Sequence, residues 1–390
     1  MTRTSAQVWH LRQIKCTLLP DRKIELVAVV TGRVLGAAIL LFLSTPIVQA
    51  QVTAPKYSNE FLAIGVGARA LAMSNAAVAR VDDVSAGYWN PAGLMAMPYK
   101  HQFALMHAEY FAGIANYDYA AYATALDSSS RFAISVIRFG IDDIPDTRFL
   151  FDANGNVNYD NIRFFSAADY AFLLSYARKL TILNGLRIGA NFKIVHRTAG
   201  SFANAWGFGL DAGAQTSYGM WDFGIMARDI TGTFNAWTHN SSLLADVYAQ
   251  TGNLLPQSSL EVTLPRLIAG VARRFEFGEK IGVLTAADLE ITFDGRRNAP
   301  VRTGLFSVSP AVGLEGSYDQ KAFVRFGAGQ FQRVLNFDGS KRVSWQPTFG
   351  LGMQISRFAV DYAMTDLGNQ AEALYSHVFS LMLGINEKSK

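Results

Sequence analysis

Apolar and polar side chains alternate with a period of two along the chain beyond residue 100. In residues 281–293, one face carries Ile, Val, Thr, Ala, Leu and Phe, while Asp288, Glu290 and Thr292 lie on the other. This alternation is the signature of a β-strand whose two faces meet different surroundings. The pattern predicts fourteen strands, near residues 100–111, 116–126, 131–141, 163–178, 184–196, 204–216, 220–230, 260–274, 280–294, 301–316, 321–332, 344–355, 357–364 and 374–385.

The lengths of the strands and of their connections indicate a membrane protein. Most predicted strands have about 10–15 residues, whereas strands of soluble domains usually have about 5–6 and a tilted strand crosses a bilayer with roughly 9–11. Long connections near 142–162, 231–259 and 333–343 follow the third, seventh and eleventh strands, and those after even-numbered strands are short. Outer-membrane barrels have this parity. We therefore expect an all-β fold, a transmembrane antiparallel β-barrel of about 14 strands in the outer membrane of a diderm bacterium, with lipid around it.

The predicted barrel places charged side chains in its lumen. In lipid every backbone donor and acceptor must be paired, so only helices and closed barrels can span the bilayer. Alternation then directs Ile, Val, Leu and Phe to the lipid. The luminal charges mix both signs, which favours ion pairs around a plug over the single-sign ring of a selective pore. The candidates are Asp169, Arg187, Lys193, Asp211, Asp222, Arg228, Asp288, Glu290, Arg325 and Asp361.

The chain before the first predicted strand has a different amino-acid composition. Residues 57–98 are rich in Ala and other small residues and end in a sharp stop at Asn90-Pro91. We interpret this stretch as a partly helical hatch, a plug packed inside the barrel. The predicted organisation is a signal peptide at 1–50, the hatch at 51–99, the barrel at 100–385 and a polar tail at 386–390.

The basic excess of the chain lies in its leader. Of 35 Lys and Arg and 31 Asp and Glu, residues 1–50 hold six basic and two acidic ones, which leaves 29 of each in the rest. Since the rest of the chain carries equal numbers of basic and acidic residues, its charge gives no argument for nucleic-acid binding.

The leader has the pattern of a secretory signal peptide. Arg33 precedes an apolar run, and small residues suitable for cleavage follow at positions 48–50. The alternative is a membrane anchor, but the run is short and Pro46 interrupts it.

Motifs of catalysis and cofactor binding are weak in this sequence. The one Cys excludes a disulfide framework and a Cys-based zinc site. Residues 65–70 match a loose dinucleotide fingerprint, which needs a parallel βαβ unit that the antiparallel texture does not offer. His101 and His107 lie roughly 20 Å apart on one strand, too far for one metal. Residues 152–156 form a polar turn more readily than a calcium loop, since Gly and Glu are missing where an EF-hand needs them. We expect no enzyme activity, cofactor or metal.

The hatch carries a recognisable pattern. Residues 61–76, which include Gly65, Gly67 and Arg69, resemble the N-terminal segment of the PorV/PorQ family of Bacteroidota outer-membrane proteins, and Trp89-Asn90-Pro91 completes it. That family is similar in turn to FadL-type fatty-acid transporters, 14-stranded barrels with an N-terminal hatch. The resemblance implies a component of the type IX secretion system. Such a component binds cargo C-terminal domains beside the translocon, and secretion-system proteins and cargo would be its partners.

Two functional classes remain open. The first is the secretion component, and the second is a FadL-like transporter of hydrophobic small molecules. The loop predicted near 231–259 favours the first, because exposed apolar side chains at high density usually mark a partner surface. The candidate anchors of this partner loop are Phe234, Trp237, Leu244 and Tyr248.

Overall fold

The computed structural model describes residues 58–152, 154–181, 185–255, 258–335, 339–365 and 376–386. The predicted signal peptide, the first residues of the predicted hatch and most of the predicted tail lie outside the described residues. The helices are α1 (Ala68–Ala72), α2 (Ala86–Trp89) and α3 (Ser241–Thr251), with short 3-10 helices at Glu60–Leu62, Pro91–Ala96 and Tyr159–Asn161. The strands are β1 (His101–Tyr110), β2 (Ala115–Ala125), β3 (Ser130–Asp146), β4 (Arg163–Lys179), β5 (Arg187–Ala199), β6 (Ala203–Tyr218), β7 (Trp221–Arg228), β8 (Thr233–His239), β9 (Ser259–Thr263), β10 (Arg266–Phe277), β11 (Ile281–Thr292), β12 (Val301–Arg302), β13 (Ser307–Tyr318), β14 (Ala322–Leu335), β15 (Lys341–Ile355), β16 (Phe358–Thr365) and β17 (Ser376–Ile385).

These strands form one closed antiparallel barrel. Most strands pair with their neighbours in sequence, and β1 closes the ring by pairing with β17 from His101 opposite Ile385 to Glu109 opposite His377. Two wall positions hold two strands in line, because β7 and β8 both pair with β6, while β10 pairs with β7 and β9 with β8. The two-residue strand β12 pairs with Ser307 and Val308 at the start of β13. The wall therefore has fourteen positions, which confirms the predicted fold class.

The barrel wall is apolar outside and small or polar inside. Along β1, Phe103 and Leu105 are exposed on the outer face, whereas Met106 and Tyr110 are buried inside. Aromatic and aliphatic residues occupy the outer positions of β6 and Asp211 an inner one. Such an outer face suits lipid, and closure leaves no unpaired edge strand. No helix among the described residues is long and apolar enough to cross a membrane.

The long loops differ from the sequence prediction in their detail. The predicted loop near 231–259 is mostly ordered structure, since it contains β8, α3 and the start of β9. The predicted loop near 333–343 is short, because β14 reaches Leu335 and β15 starts at Lys341. A long connection instead runs over residues 293–306, between β11 and β13, with β12 inside it. The alternation in β8 covers only seven residues and β12 has only two, so these strands give a weak period-two signal in the sequence.

The hatch, residues 58–98 of the described chain, fills the lumen. Phe61, Leu62, Trp89 and Leu94 belong to a buried cluster that also contains inner side chains of the wall, such as Tyr117. Pro91 starts its 3-10 helix at a position that needs no backbone donor, and the side chain of the preceding residue caps that helix. The chain then enters β1.

Candidate luminal site

One buried amide of the hatch bonds to two strands of the wall. Asn90 is fully buried, and its Nδ2 donates to the carbonyl oxygens of Val78 at 3.0 Å, Ala214 at 3.1 Å and Ile225 at 3.3 Å. Its Oδ1 accepts a hydrogen bond from the Ala92 amide at 3.2 Å. Since Ala214 lies on β6 and Ile225 on β7, a single side chain connects the hatch to two neighbouring strands.

A network of charges joins the hatch to the opposite wall. Arg69 on α1 donates from Nε and Nη2 to the two carboxylate oxygens of Glu315, at 2.8 and 3.1 Å, and from Nη1 to Asp82 at 2.8 Å. Glu315 also accepts from Arg325 at 2.7 Å, and Arg325 donates to Asp361 at 2.6 Å. A bidentate arginine–carboxylate pair holds both groups in one orientation. The network fixes α1 against β13, β14 and β16.

Glycines of the wall admit the hatch backbone. A Cβ at Gly224 would lie 2.3 Å from the carbonyl oxygen of Val78, and one at Gly327 would lie 2.4 Å from the amide nitrogen of Ser74. A Cβ at Gly213 would lie 2.1 Å from Asn90 Oδ1. These positions tolerate no side chain without a shift of the hatch. The inner glycines therefore set how closely the hatch packs on the wall.

Between the hatch and the wall of β7, β10, β11, β13 and β14 lies a cavity of about 380 Å³. The hatch contributes Glu60, Asn75 and Trp89. The wall contributes charged groups of both signs, and the charged residues of the lining, three acidic and three basic, are Glu60, Asp288, Glu290, Arg228, Arg266 and Arg297. The cavity is thus balanced in charge.

Two buried arginines lie side by side in this cavity. Arg228 and Arg266 stand directly opposite each other in the ladder of β7 and β10 and are 7% and 4% exposed. Arg228 donates to the oxygens of Leu62 and Tyr88, and no carboxylate in the described part of the chain forms an ion pair with it. Arg266 lies 3.5 Å from Glu290. Like charges placed opposite each other are unfavourable unless anionic groups compensate them.

Five polar atoms of the cavity residues have no hydrogen-bond partner among the described residues. Two are donors, the Nε atoms of Arg228 and Arg266, two are acceptors, Oδ1 of Asp288 and Oδ1 of Asn75, and the fifth is the hydroxyl oxygen of Thr292. The other oxygen of Asp288 accepts from the amides of Ala77 and Val78, at 2.9 and 3.0 Å. Burying a polar atom without a partner is costly, by about 1–3 kcal/mol.

The wall beside the cavity is incompletely paired. The ladder between β13 and β14 runs only from Val312 opposite Ala328 to Tyr318 opposite Ala322. Farther out, β13 pairs with β11 and β14 pairs with β15, but not with each other. Pro310 lies in this part of β13, and a bulge with Gln330 at φ 48° lies in this part of β14. Residues on both sides of this gap, called here the β13–β14 gap, line the cavity.

The connection between β11 and β13 covers the outer end of the β13–β14 gap. Asn298 donates to Gln332 at 3.4 Å and accepts from the amide of Arg333 at 3.2 Å. Arg297 of the same connection pairs with Asp294 at 2.6 Å and with Glu60 of the hatch at 3.0 Å. This connection therefore contacts the gap and the hatch at once.

The predicted partner loop does not exist as a free loop. Phe234 and Trp237 lie on β8 in the wall, where Trp237 donates from its ring nitrogen to Glu261 at 2.7 Å. Leu244 and Tyr248 lie on α3 and are half-buried. Phe234 is exposed on the outer face of the wall, and the other exposed large apolar side chains of this region are Leu243, Leu254, Leu255 and Leu260. Apolar and polar residues alternate over only the seven residues of β8, which is too short a pattern to distinguish a strand from a loop in the sequence.

The predicted luminal charges face the interior in several separate groups. Asp211 pairs with Lys193 at 3.1 Å, and Lys193 also pairs with Asp229 at 2.6 Å. Asp361 belongs to the Arg69 network, and Asp288 and Glu290 line the cavity. Arg187 is half-buried on β5, away from the cavity. The sequence prediction missed Arg266 and Glu315, because their role depends on which strands become neighbours across the lumen.

In the described chain, the two histidines of β1 and the polar turn at Asp152 make structural contacts. His107 lies on the outer face, 2.7 Å from Asp118, and His101 contacts Tyr122. Asp152 accepts the amides of Asn154 and Asn156, at 2.8 and 2.9 Å, as in a polar turn. Within the described residues, no three His, Cys, Asp or Glu side chains form a group that could hold a metal ion.

Comparison with known proteins identifies the fold. No protein-family model matches the chain, and no curated protein matches it in sequence. A solved structure of the P. putida toluene transporter TodX is 13% identical over 83% of this chain and 99% of TodX, with a TM-score of 0.53. The fold is that of a FadL-type outer-membrane barrel. A second TodX structure, described as a monoaromatic hydrocarbon channel with a deltaS2 mutation, is 14% identical over 83% of this chain and 99% of its own, with a TM-score of 0.51.

At this identity the likeness extends to the fold alone. The barrel resembles outer-membrane proteins of the FadL family of Gram-negative bacteria, and its apolar outer face agrees with that location. The similar proteins are described as a transporter and a channel, not as enzymes.

Proposed function

We propose that this protein is an outer-membrane channel for small solutes, closed by its hatch. The observation that carries the proposal is the cavity between the hatch and the wall, which reaches the unpaired β13–β14 gap. A solute in this cavity would have a side route past the hatch. The descriptions of TodX as a toluene transporter and a hydrocarbon channel support transport of small molecules. They favour the hydrophobic solutes of the FadL-like alternative, whereas the charged cavity lining favours polar ones.

The route through the gap is tested by cross-linking. In a Cys16→Ala background, Ser309→Cys and Phe331→Cys place thiols on the two sides of the gap. Bridging them with a short bis-maleimide should lower solute permeation into proteoliposomes severalfold. The matched control is Ser317→Cys with Phe323→Cys, a pair that the ladder already joins. Equal permeation before and after bridging across the gap would exclude this route.

The second candidate is the secretion component that the hatch sequence suggests. One observation favours it: Leu254 is 93% exposed, and Leu243 and Leu255, near the two ends of α3, are exposed as well. Burying each such side chain against a partner would be worth roughly 1.5–3 kcal/mol, and a micromolar contact is worth about 8 kcal/mol. In a native host, Leu243→Glu with Leu254→Glu and Leu255→Glu should then impair type IX cargo secretion while the barrel still assembles. Normal secretion in that variant would exclude the role.

A further inference from the structure

We propose that the outer ends of β14 and β15 bind a phosphate group of the glycolipid that forms the outer leaflet of the outer membrane. The site consists of Arg333 and Lys341. It goes beyond the channel proposal and does not depend on it, because both residues lie on the outer face of the wall and not in the lumen. Three observations support the site: its level in the membrane, the register of its two residues, and the charge of the surrounding segments.

The outer face of β15 changes from apolar to basic along the strand. Alternate residues point outward, and from Ile355 to Trp345 these outward residues are apolar or aromatic, whereas Gly350 and Gln346 between them are buried inside. The stretch from 345 to 355 has 11 residues, and a tilted strand crosses a bilayer with roughly 9–11. Trp345 then lies where an aromatic girdle is expected. Lys341, four residues farther along, lies beyond the apolar band at the level of the lipid headgroups.

This end of the barrel is the extracellular one. β14 ends and β15 begins at the same end of the barrel as the long connections 147–162 and 293–306, whereas the two residues Ser356 and Arg357 join β15 to β16 at the other end. Outer-membrane barrels have short periplasmic turns and longer extracellular loops. Lys341 therefore meets the outer leaflet, whose glycolipid carries phosphate groups.

Arg333 lies beside Lys341 on the same face of the sheet. The ladder pairs Arg333 with Val343 and Leu335 with Lys341, so Arg333 and Lys341 are diagonal neighbours, about 7–8 Å apart. Both are exposed, and neither side chain forms an ion pair in the described part of the chain. Like charges at this distance repel each other unless an anion compensates them. A phosphate between the two side chains can accept charge-assisted hydrogen bonds from both.

The extracellular segments around this site are basic, whereas those on the opposite side of the ring are acidic. Residues 293–302 and 329–346 hold six basic and two acidic residues, of which Asp338 lies outside the described residues. Residues 142–163, between β3 and β4, hold two basic and five acidic ones. Basic residues near a membrane surface attract anionic lipid. The charge distribution therefore directs an anionic headgroup to β14 and β15.

The test measures binding of lipid A, the phosphorylated anchor of the outer-leaflet glycolipid, to the full-length protein in detergent. Native mass spectrometry counts the bound lipid during a titration. Arg333→Gln with Lys341→Gln should weaken binding about tenfold or more, because each basic side chain at an anionic surface contributes roughly a fivefold gain. The matched control is Lys321→Gln with Arg357→Gln, which removes two exposed cations beside the opposite ends of the same two strands. The control variant should bind as tightly as the unaltered protein.

Lipid A from which the phosphates have been removed enzymatically should bind equally weakly to the unaltered protein and to Arg333→Gln with Lys341→Gln. Unchanged binding of phosphorylated lipid A by that variant, or an equal loss in the control variant, would overturn the site. Displacement of lipid A by inorganic phosphate at millimolar concentration would indicate a site for free anions and overturn the assignment to the lipid. Solute permeation does not enter this measurement, so failure of the lipid site would leave the channel proposal standing, and a barrel that transports nothing would leave the lipid site standing.

Discussion

At the scale of single residues, buried polar side chains hold the hatch in place. Asn90 donates to three carbonyl oxygens and Arg69 to two carboxylates, and both side chains come from the short hatch segment. Inside a protein such bonds are worth most when every partner is satisfied, since a lost partner leaves a buried group unpaired. Hatch stability should therefore depend on a few side chains.

Replacing Asn90 by Ala should loosen the hatch without unfolding the barrel. Three carbonyl oxygens would lose a donor, at a cost of about 1–3 kcal/mol. Hydrogen exchange should become faster for amides of residues 58–98 and stay unchanged in the wall strands. Asn154→Ala, in an exposed polar turn, is the matched control. Unchanged protection of the hatch in Asn90→Ala would contradict the role given to this amide.

The stability of the turn between β2 and β3 should depend on pH in the acidic range. Hydrogen bonds from the Ser130 hydroxyl and from the amide and hydroxyl of Ser129 lower the pKa of Asp127 from 3.8 to about 2. Because the folded-state pKa is depressed, this group stabilises the turn above pH 3.8, and the contribution is lost as the pH falls through about 2. In an NMR titration, the chemical shift of the Ser129 amide should change with a midpoint near pH 2. The substitution Asp127→Asn should abolish this change. A midpoint near 3.8 would mean that these hydrogen bonds are not formed.

At the scale of elements, the packing of the hatch on inner strands depends on glycine. Backbone atoms of the hatch occupy the space where Gly224 and Gly327 would carry a Cβ. Interiors are close-packed, so an added methyl group must move the hatch or the strand. The elements fit because small inner residues and the irregular hatch backbone complement each other.

Gly224→Ala should displace the hatch. The new methyl group would lie 2.3 Å from the Val78 oxygen and 2.7 Å from the Ala79 Cα, which we expect to cost about 1–3 kcal/mol. Limited proteolysis should then cleave the hatch faster than in the unaltered protein. Gly316→Ala is the control, since its methyl group would meet nothing closer than 3.8 Å. Equal cleavage of the two variants would show that the hatch tolerates the methyl group.

At the scale of the whole molecule, the barrel and the hatch have different tasks. The wall closes on itself through β1 and β17, so its backbone pairing does not need the hatch. The hatch occupies the lumen and buries its apolar side chains there. The barrier to solutes should therefore depend on the hatch, and membrane insertion on the wall.

Deleting residues 57–98 should leave a barrel that still inserts and that conducts ions. Heat-modifiable migration on gels and a far-ultraviolet spectrum dominated by β structure would show that the wall has formed. Planar bilayer recordings should then give a much larger conductance than the full chain. A truncated barrel that forms but is no leakier than the full one would refute the assignment of this segment as a plug.

The class of fold and the number of wall positions could be predicted from the sequence alone. Period-two alternation in segments such as 281–293 and the parity of loop lengths are local features, which a closed barrel in lipid imposes on every strand. The inward direction of Asp288 and Asp361 followed from the same alternation. The hatch motif around Asn90 was also legible, because its small residues and Asn-Pro stop are adjacent in sequence.

The contacts between these residues, in contrast, depend on how the strands are arranged in the folded barrel. The facing of Arg228 and Arg266, the pairing of Arg69 with Glu315, and the β13–β14 gap depend on strand register, which alternation fixes only to within steps of two residues. The same is true of the wall glycines, since Gly224 and Gly282 both lie on the inner face, but the hatch backbone lies against Gly224 and not against Gly282. A cavity is the space that such long-range contacts leave. Three of its six charged residues, Arg228, Asp288 and Glu290, were predicted from the sequence to face the lumen, but their arrangement was not.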